Sequence, residues 1–239
     1  MPIGYQEEVA IGGAVALEAV ARFGGLWENP EVEKYVATVG AAVASTSDRP
    51  DIPYFFGILN AEEPNGFACP GGYIFISKGL LRLVQNEAEL AGVLGHEIAH
   101  VARKHALDSI RRSKALSGIS EVTLTALDKD PKMFDSLVKE ATNMILENGI
   151  GREKEFEADA VGTDFAYRVG YDPNGLRAFL TVLKPSIHTG SRGWAKTHPD
   201  TQVRIDNLRT VLAKPEFQGS AGLPLLADRF GTIFTQVKL

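Results

Sequence analysis

The stretch His96-Glu97-Ile98-Ala99-His100 decides how this chain is read. On an α-helix, residues four apart lie about 40° apart around the axis and roughly 6 Å along it. Both imidazoles can then reach one zinc ion, with Glu97 beside them to take a proton from a water that the metal activates. The flanking residues predict the helix. Asn86-Glu87-Ala88-Glu89-Leu90-Ala91 reads as a capped start with acids in its first turn. Leu90, Val93, Leu94, Ile98 and Val101 then follow at spacings of three and four.

Outward from that helix, predicted over 86–106, helical patterns cover 3–23 and 30–45, where Pro30 suits a first helical position. Strands are predicted at 54–59 and 73–77, rich in aromatic and β-branched residues, with a Pro- and Gly-rich loop at 60–72 between them. Weaker helical segments fall at 115–127 and 131–148. Another runs over 152–170 until Asp172-Pro173 breaks it, and 175–183 and 199–212 follow. The pattern is α+β: a predominantly helical, zincin-like fold with a small sheet beside the motif helix. One domain is expected, with a helical segment at 1–50, a core at about 51–213 and a tail at 214–239 in which no pattern is legible.

Composition excludes several classes. The chain has 239 residues, 44% hydrophobic and 23% charged, which suits a soluble globular protein. Its net charge of −5, without a long basic run, argues against nucleic acid as a partner. No run of eighteen uninterrupted apolar residues predicts a membrane span. The stretch 9–26 is interrupted by Glu18 and Arg22 and lacks a charged lead, so it reads as an amphipathic helix, not a signal peptide. Cys69 is alone, so it forms no internal disulfide and leaves the compartment open. A small buried residue is the commoner role for such a cysteine than a thiolate reaching the metal.

A catalytic zinc takes three protein ligands and keeps one position open. His105 lies five residues after His100, about 140° around a continuous helix, and reads as a surface or packing residue. The segment from Glu153 to Ala160 offers two acid pairs at four-residue spacing, Glu153 with Glu157 and Glu155 with Asp159. Periodicity does not choose between them.

Four blocks together resemble one family of zinc metallopeptidases. They are the HEIAH motif, Glu155-Phe-Glu-Ala-Asp159-Ala, Thr197-His198-Pro199 with Arg204 six residues after the histidine, and Asn65-Gly-Phe-Ala-Cys-Pro-Gly-Gly. The family is that of HtpX-like heat-shock proteases and CAAX prenyl proteases, of gluzincin type, with a soluble, often periplasmic, BepA-like branch. The resemblance covers roughly 30–210, and Gly66 stands where family members more often carry alanine. It implies Glu155 as third ligand, with Asp159 orienting a ligand histidine. His198 would face the metal, either as a donor to the oxyanion or as a latch in the open position. Arg204 would pair with Asp159 or with a substrate carbonyl. Candidate substrate-binding residues are Asn65, Gly71, Gly72 and Tyr73, with the 73–77 strand and the loop before it presenting an edge to which an extended peptide adds. One Zn²⁺ per chain is expected, since two histidines and a glutamate favour it. The implied activity is hydrolysis of unfolded or misfolded polypeptides in the periplasm or cell envelope, with Glu97 as general base. The rival readings are a latched zinc-binding chaperone or assembly factor that rarely cuts, and a purely structural metal site closed by His198.

Overall fold

The computed structural model describes residues 4–116, 131–186, 193–198, 200–220 and 222–234. Its elements, in chain order, begin with helices α1 (Tyr5–Arg22) and α2 (Pro30–Ala44) and strands β1 (Phe55–Leu59), β2 (Gly66–Cys69) and β3 (Tyr73–Ser77). Helices α3 (Lys78–Leu81), α4 (Glu87–Ala102) and α5 (His105–Leu116) follow, then α6 (Pro131–Asn143) with a π turn at Met144–Asn148. The remainder comprises α7 (Arg152–Val169), α8 (Gly175–Leu183), α9 (Trp194–Thr197), α10 (Thr201–Leu212) and α11 (Ala227–Phe234). The fold is predominantly helical α+β.

The motif helix α4 is central. Every one of its residues is buried, as befits a helix enclosed by others instead of one with a solvated face. Asn86 caps it, its Oδ1 accepting from the Glu89 amide at 3.0 Å, while Glu89 reaches back to the Gln85 amide at 2.9 Å. Helices α2, α7 and α8 pack around it, and the sheet lies alongside. Arg229 of α11 and Tyr35 of α2 both bond the buried Glu87 in its first turn, and Tyr171 donates to Glu87 at 2.6 Å. The C-terminal helix, invisible as a pattern, is thus fastened to the start of the motif helix.

The sheet has the order β1-β3-β2, with β1 parallel and β2 antiparallel to β3. Both predicted strands are present, but β3 is the middle one, so the edge expected at 73–77 belongs instead to β2. That strand lies inside the stretch expected to be loop. All four of its residues are buried, so it shows no alternation, and Pro64 and Pro70 bracket it closely. The motif helix also stops earlier than expected, at Ala102, because Lys104 takes a left-handed φ of 53°. The helix expected at 115–127 lies mostly outside the described residues. That expected from 199 starts at Thr201, after the separate short α9.

Candidate metal centre

Two glycines set the geometry of the site. A Cβ placed on Gly162 of α7 would lie 2.5 Å from the carbonyl carbon of Gly95 and the amide nitrogen of His96, and one on Gly95 would lie 2.5 Å from the Gly162 carbonyl oxygen. The backbones of α4 and α7 touch there, as only glycine permits. Glu155 and Asp159 precede Gly162 by about two turns and one turn on the same helix, so this crossing carries both carboxylates to His96 and His100. The other acid pair points away: Glu153 and Glu157 are exposed, whereas Glu155 and Asp159 are buried.

His96, His100, Glu155 and His198 each offer one ligand atom, and these atoms all lie within 4.8 Å of one another. Both motif histidines present Nε2, and the two nitrogens are 3.1 Å apart. Glu155 Oε1 is 3.4 Å from His100 Nε2, Glu155 Oε2 is 3.5 Å from His96 Nε2, and His198 Nδ1 is 2.8 Å from Glu155 Oε2. Glu155 Oε1 is buried without a hydrogen-bond partner, as are both oxygens of Glu97. Burying unpaired carboxylate oxygens against facing imidazole lone pairs is costly, and a divalent cation at their common focus removes that cost. Two imidazoles and a carboxylate fit zinc.

Around the donors lies a second set of charges. Asp159 Oδ1 stands 2.9 Å from His96 Nδ1, and Arg204 grips the same carboxylate through Nε at 2.9 Å and Nη2 at 2.6 Å. Arg204 Nη1 is 3.2 Å from Glu155 Oε2, so one fully buried guanidinium serves both carboxylates. Burial alone would raise both acids. Arg204 instead holds Asp159 below its ordinary range, and His198 with Arg204 holds Glu155 well below it. At Glu97 burial outweighs the opposing pull of His198 and His96 and pushes the pKa up. Burial drives His100 down to about 4 and His105 to about 3.

The sequence-predicted residues divide cleanly. His96, Glu97, His100, Glu155, Asp159, His198 and Arg204 are assembled at one point, with His198 Nε2 3.7 Å from Glu97 Oε1. Asn65 is buried just before β2, where its Oδ1 accepts from the Gly66 amide at 3.0 Å and its own backbone amide donates to Ser77 Oγ at 2.9 Å. Gly71 and Gly72 are not at that point: they form a turn against Val9 of α1 and the Pro53 carbonyl. Nor is Tyr73, whose ring stacks on Phe55 with centroids 5.2 Å apart. Cys69 is buried and its thiol pKa is raised by burial, which fits packing.

Three features escaped the sequence. Trp194 stacks on the His198 ring at 4.3 Å and lies under the Arg204 guanidinium at 5.4 Å. The Gly66 carbonyl is 3.1 Å from His198 Nε2, and a Cβ on Gly66 would press on Trp194 at 3.1 Å. His105, expected to be a surface or packing residue, is buried with Nδ1 2.9 Å from His100 Nδ1. Only a histidine five residues after the motif hinted at the last.

The family model of peptidase family M48 matches residues 30–212. Mitochondrial metalloendopeptidase OMA1 of Schizosaccharomyces pombe is 29% identical over 188 residues, covering 77% of this chain and 53% of that protein. The beta-barrel assembly-enhancing protease of Escherichia coli is 28% identical over 192 residues, covering 77% of this chain and 39% of its own. The Arabidopsis thaliana mitochondrial metalloendopeptidase OMA1 is 30% identical over 163 residues, 68% of this chain and 32% of that one. The chain thus spans about half, or less, of the length of the curated relatives it matches.

Proposed function

The chain belongs to peptidase family M48, and from that membership we propose that it is a zinc-dependent endopeptidase that hydrolyses unfolded or damaged polypeptides in the periplasm or cell envelope. The observation that carries the reading is the Glu97 carboxylate, buried, unpaired and adjacent to a four-residue group of metal donors. An acid with nothing to bond in a buried site has a substrate or water as its partner.

His96, His100 and Glu155 would hold the ion. When bound, zinc supplies a Lewis acid that lowers the pKa of water and polarises a carbonyl. The chain's own groups do the rest. Glu97 takes the proton of the attacking water on a carboxylate oxygen and returns it to the leaving amine nitrogen. Its burial, which favours the protonated form between these two events, suits that exchange. Asp159 accepts from His96 Nδ1–H and so keeps Nε2 free for the metal. Arg204 fixes Asp159 and offsets the charge of both carboxylates. His198 is held by the Trp194 ring on one face and by the Gly66 carbonyl at Nε2, within reach of the developing oxyanion.

A second reading has an observation of its own. His198 lies among the donors, its Nδ1 3.4 Å from His96 Nε2, so it can fill the fourth position as a latch. The protein would then hold unfolded chains as a chaperone or assembly factor and cut seldom. Among the described residues no helix is long and apolar enough to cross a membrane. Incubating an unfolded protein with zinc-loaded wild type and with Glu97→Gln separates these readings. Cleavage by wild type alone is expected, and zinc-dependent binding without cleavage by either would favour the latch.

A further inference from the structure

The two motif histidines turn Nε2 to the metal group and Nδ1 away from it. Behind His96 the Nδ1 meets Asp159. Behind His100 it meets a third histidine, with His105 Nδ1 at 2.9 Å. Two imidazole nitrogens at that distance share one proton. If His100 ligates through Nε2, its proton is on Nδ1 and it is the donor. His105 Nδ1 is then the acceptor, and the proton of His105 sits on Nε2, facing Glu157 Oε2 at 3.4 Å.

We propose that His105 is a positioning residue for the metal, accepting the Nδ1–H of His100 and thereby fixing the tautomer and ring orientation of that ligand. The proposal rests on the reading of His100 as a metal ligand. The chain is bent to serve it. A continuous helix would carry His105 about 140° away from His100, but α4 ends at Ala102, Lys104 turns left-handed, and α5 begins at His105 itself. The turn is fastened from the far side: Lys154 Nζ donates to the His105 carbonyl at 2.6 Å and to Ser109 Oγ at 2.8 Å. Lys154 directly precedes Glu155, so one helix both supplies a metal donor and holds the residue behind another.

The test is zinc affinity, by chelator competition, for wild type, His105→Leu and His105→Asn. Asparagine places an acceptor oxygen close to where Nδ1 stands, whereas leucine fills similar space without one. Leucine should weaken zinc by about 10 to 100-fold and asparagine by less than about threefold. Equal affinity in all three, or equal weakening in both variants, would overturn the positioning role while leaving the metal site intact. Wild type that binds no zinc would overturn the metal reading and this one with it. Imidazole ¹H–¹⁵N correlation spectra of the zinc-loaded wild type read the tautomer directly, with no variant needed. A His105 proton on Nε2 is expected, and one on Nδ1 contradicts the proposal.

Discussion

Gly162→Ala tests whether the contact of α4 and α7 builds the site. The added Cβ would lie 2.5 Å from two backbone atoms, where ordinary contact starts at 3.4 Å, so one helix must retreat by about 1 Å. Backbone cannot rotate out of the way as a side chain can. Overpacking of this kind costs about 1–3 kcal/mol, against a helix-propensity gain of about 1 kcal/mol for replacing glycine with alanine. Gly13→Ala shows the propensity gain alone, so its difference from Gly162→Ala isolates the overpacking cost. It makes the same exchange inside α1, where the new Cβ comes no nearer than 3.5 Å to its neighbour, the end of the Tyr73 side chain. The two variants should therefore differ in melting temperature by about 3–9 °C, taking about 3 °C per kcal/mol for a chain of this size. Because Glu155 and Asp159 ride on the displaced helix, Gly162→Ala should also lose about 100-fold in cleavage rate. Both variants are followed by thermal unfolding and by hydrolysis of an unfolded protein. A Gly162→Ala protein that melts with Gly13→Ala and cuts like wild type would refute the argument.

Glu155→Ala should lose most of its zinc by metal analysis while Glu157→Ala keeps it; the reverse would mean that the donor set is misassigned. His198→Ala should raise cleavage if His198 is a latch and lower it by about 100-fold if it stabilises the oxyanion, so an unchanged rate would exclude both roles. The metal-free protein should be most stable at about pH 6.5. The buried His100, with a pKa near 4 against about 6.5 unfolded, costs stability as pH falls from 6.5 to 4, because the unfolded chain takes the proton first. Burial and Arg204 oppose charging of His96, yet bonds to Asp159 and Glu155 hold its pKa up to about 9, so its contribution is complete below about pH 6.5 and lost as pH rises through 9. Chemical denaturation across pH 4–9.5 reads this directly, and a monotonic profile would contradict it.

What could be read in advance followed from local pattern. The cap at Asn86 and the apolar spacing marked α4, and β-branched runs marked β1 and β3, because each signal is contained in its own segment. The four residues of β2 are buried on every side and leave no alternation to read. Periodicity could not choose between Glu155 with Asp159 and Glu153 with Glu157, since both pairs have the same helical spacing; the family resemblance pointed to the first, and the Gly95–Gly162 crossing turns that pair inward. The contact of His105 with His100 could not be read in advance, because the angle was counted along a helix that Lys104 interrupts. Trp194 belongs to a four-residue helix, too short for periodicity, and Arg229 finds Glu87 from 142 residues away.

The most direct test of the central claim is an anomalous difference map at the zinc edge from crystals of zinc-loaded Glu97→Gln protein. One peak per chain is expected, about 2.0–2.2 Å from His96 Nε2, His100 Nε2 and a Glu155 oxygen. A peak on other residues, or none in a correctly folded chain, would contradict the account.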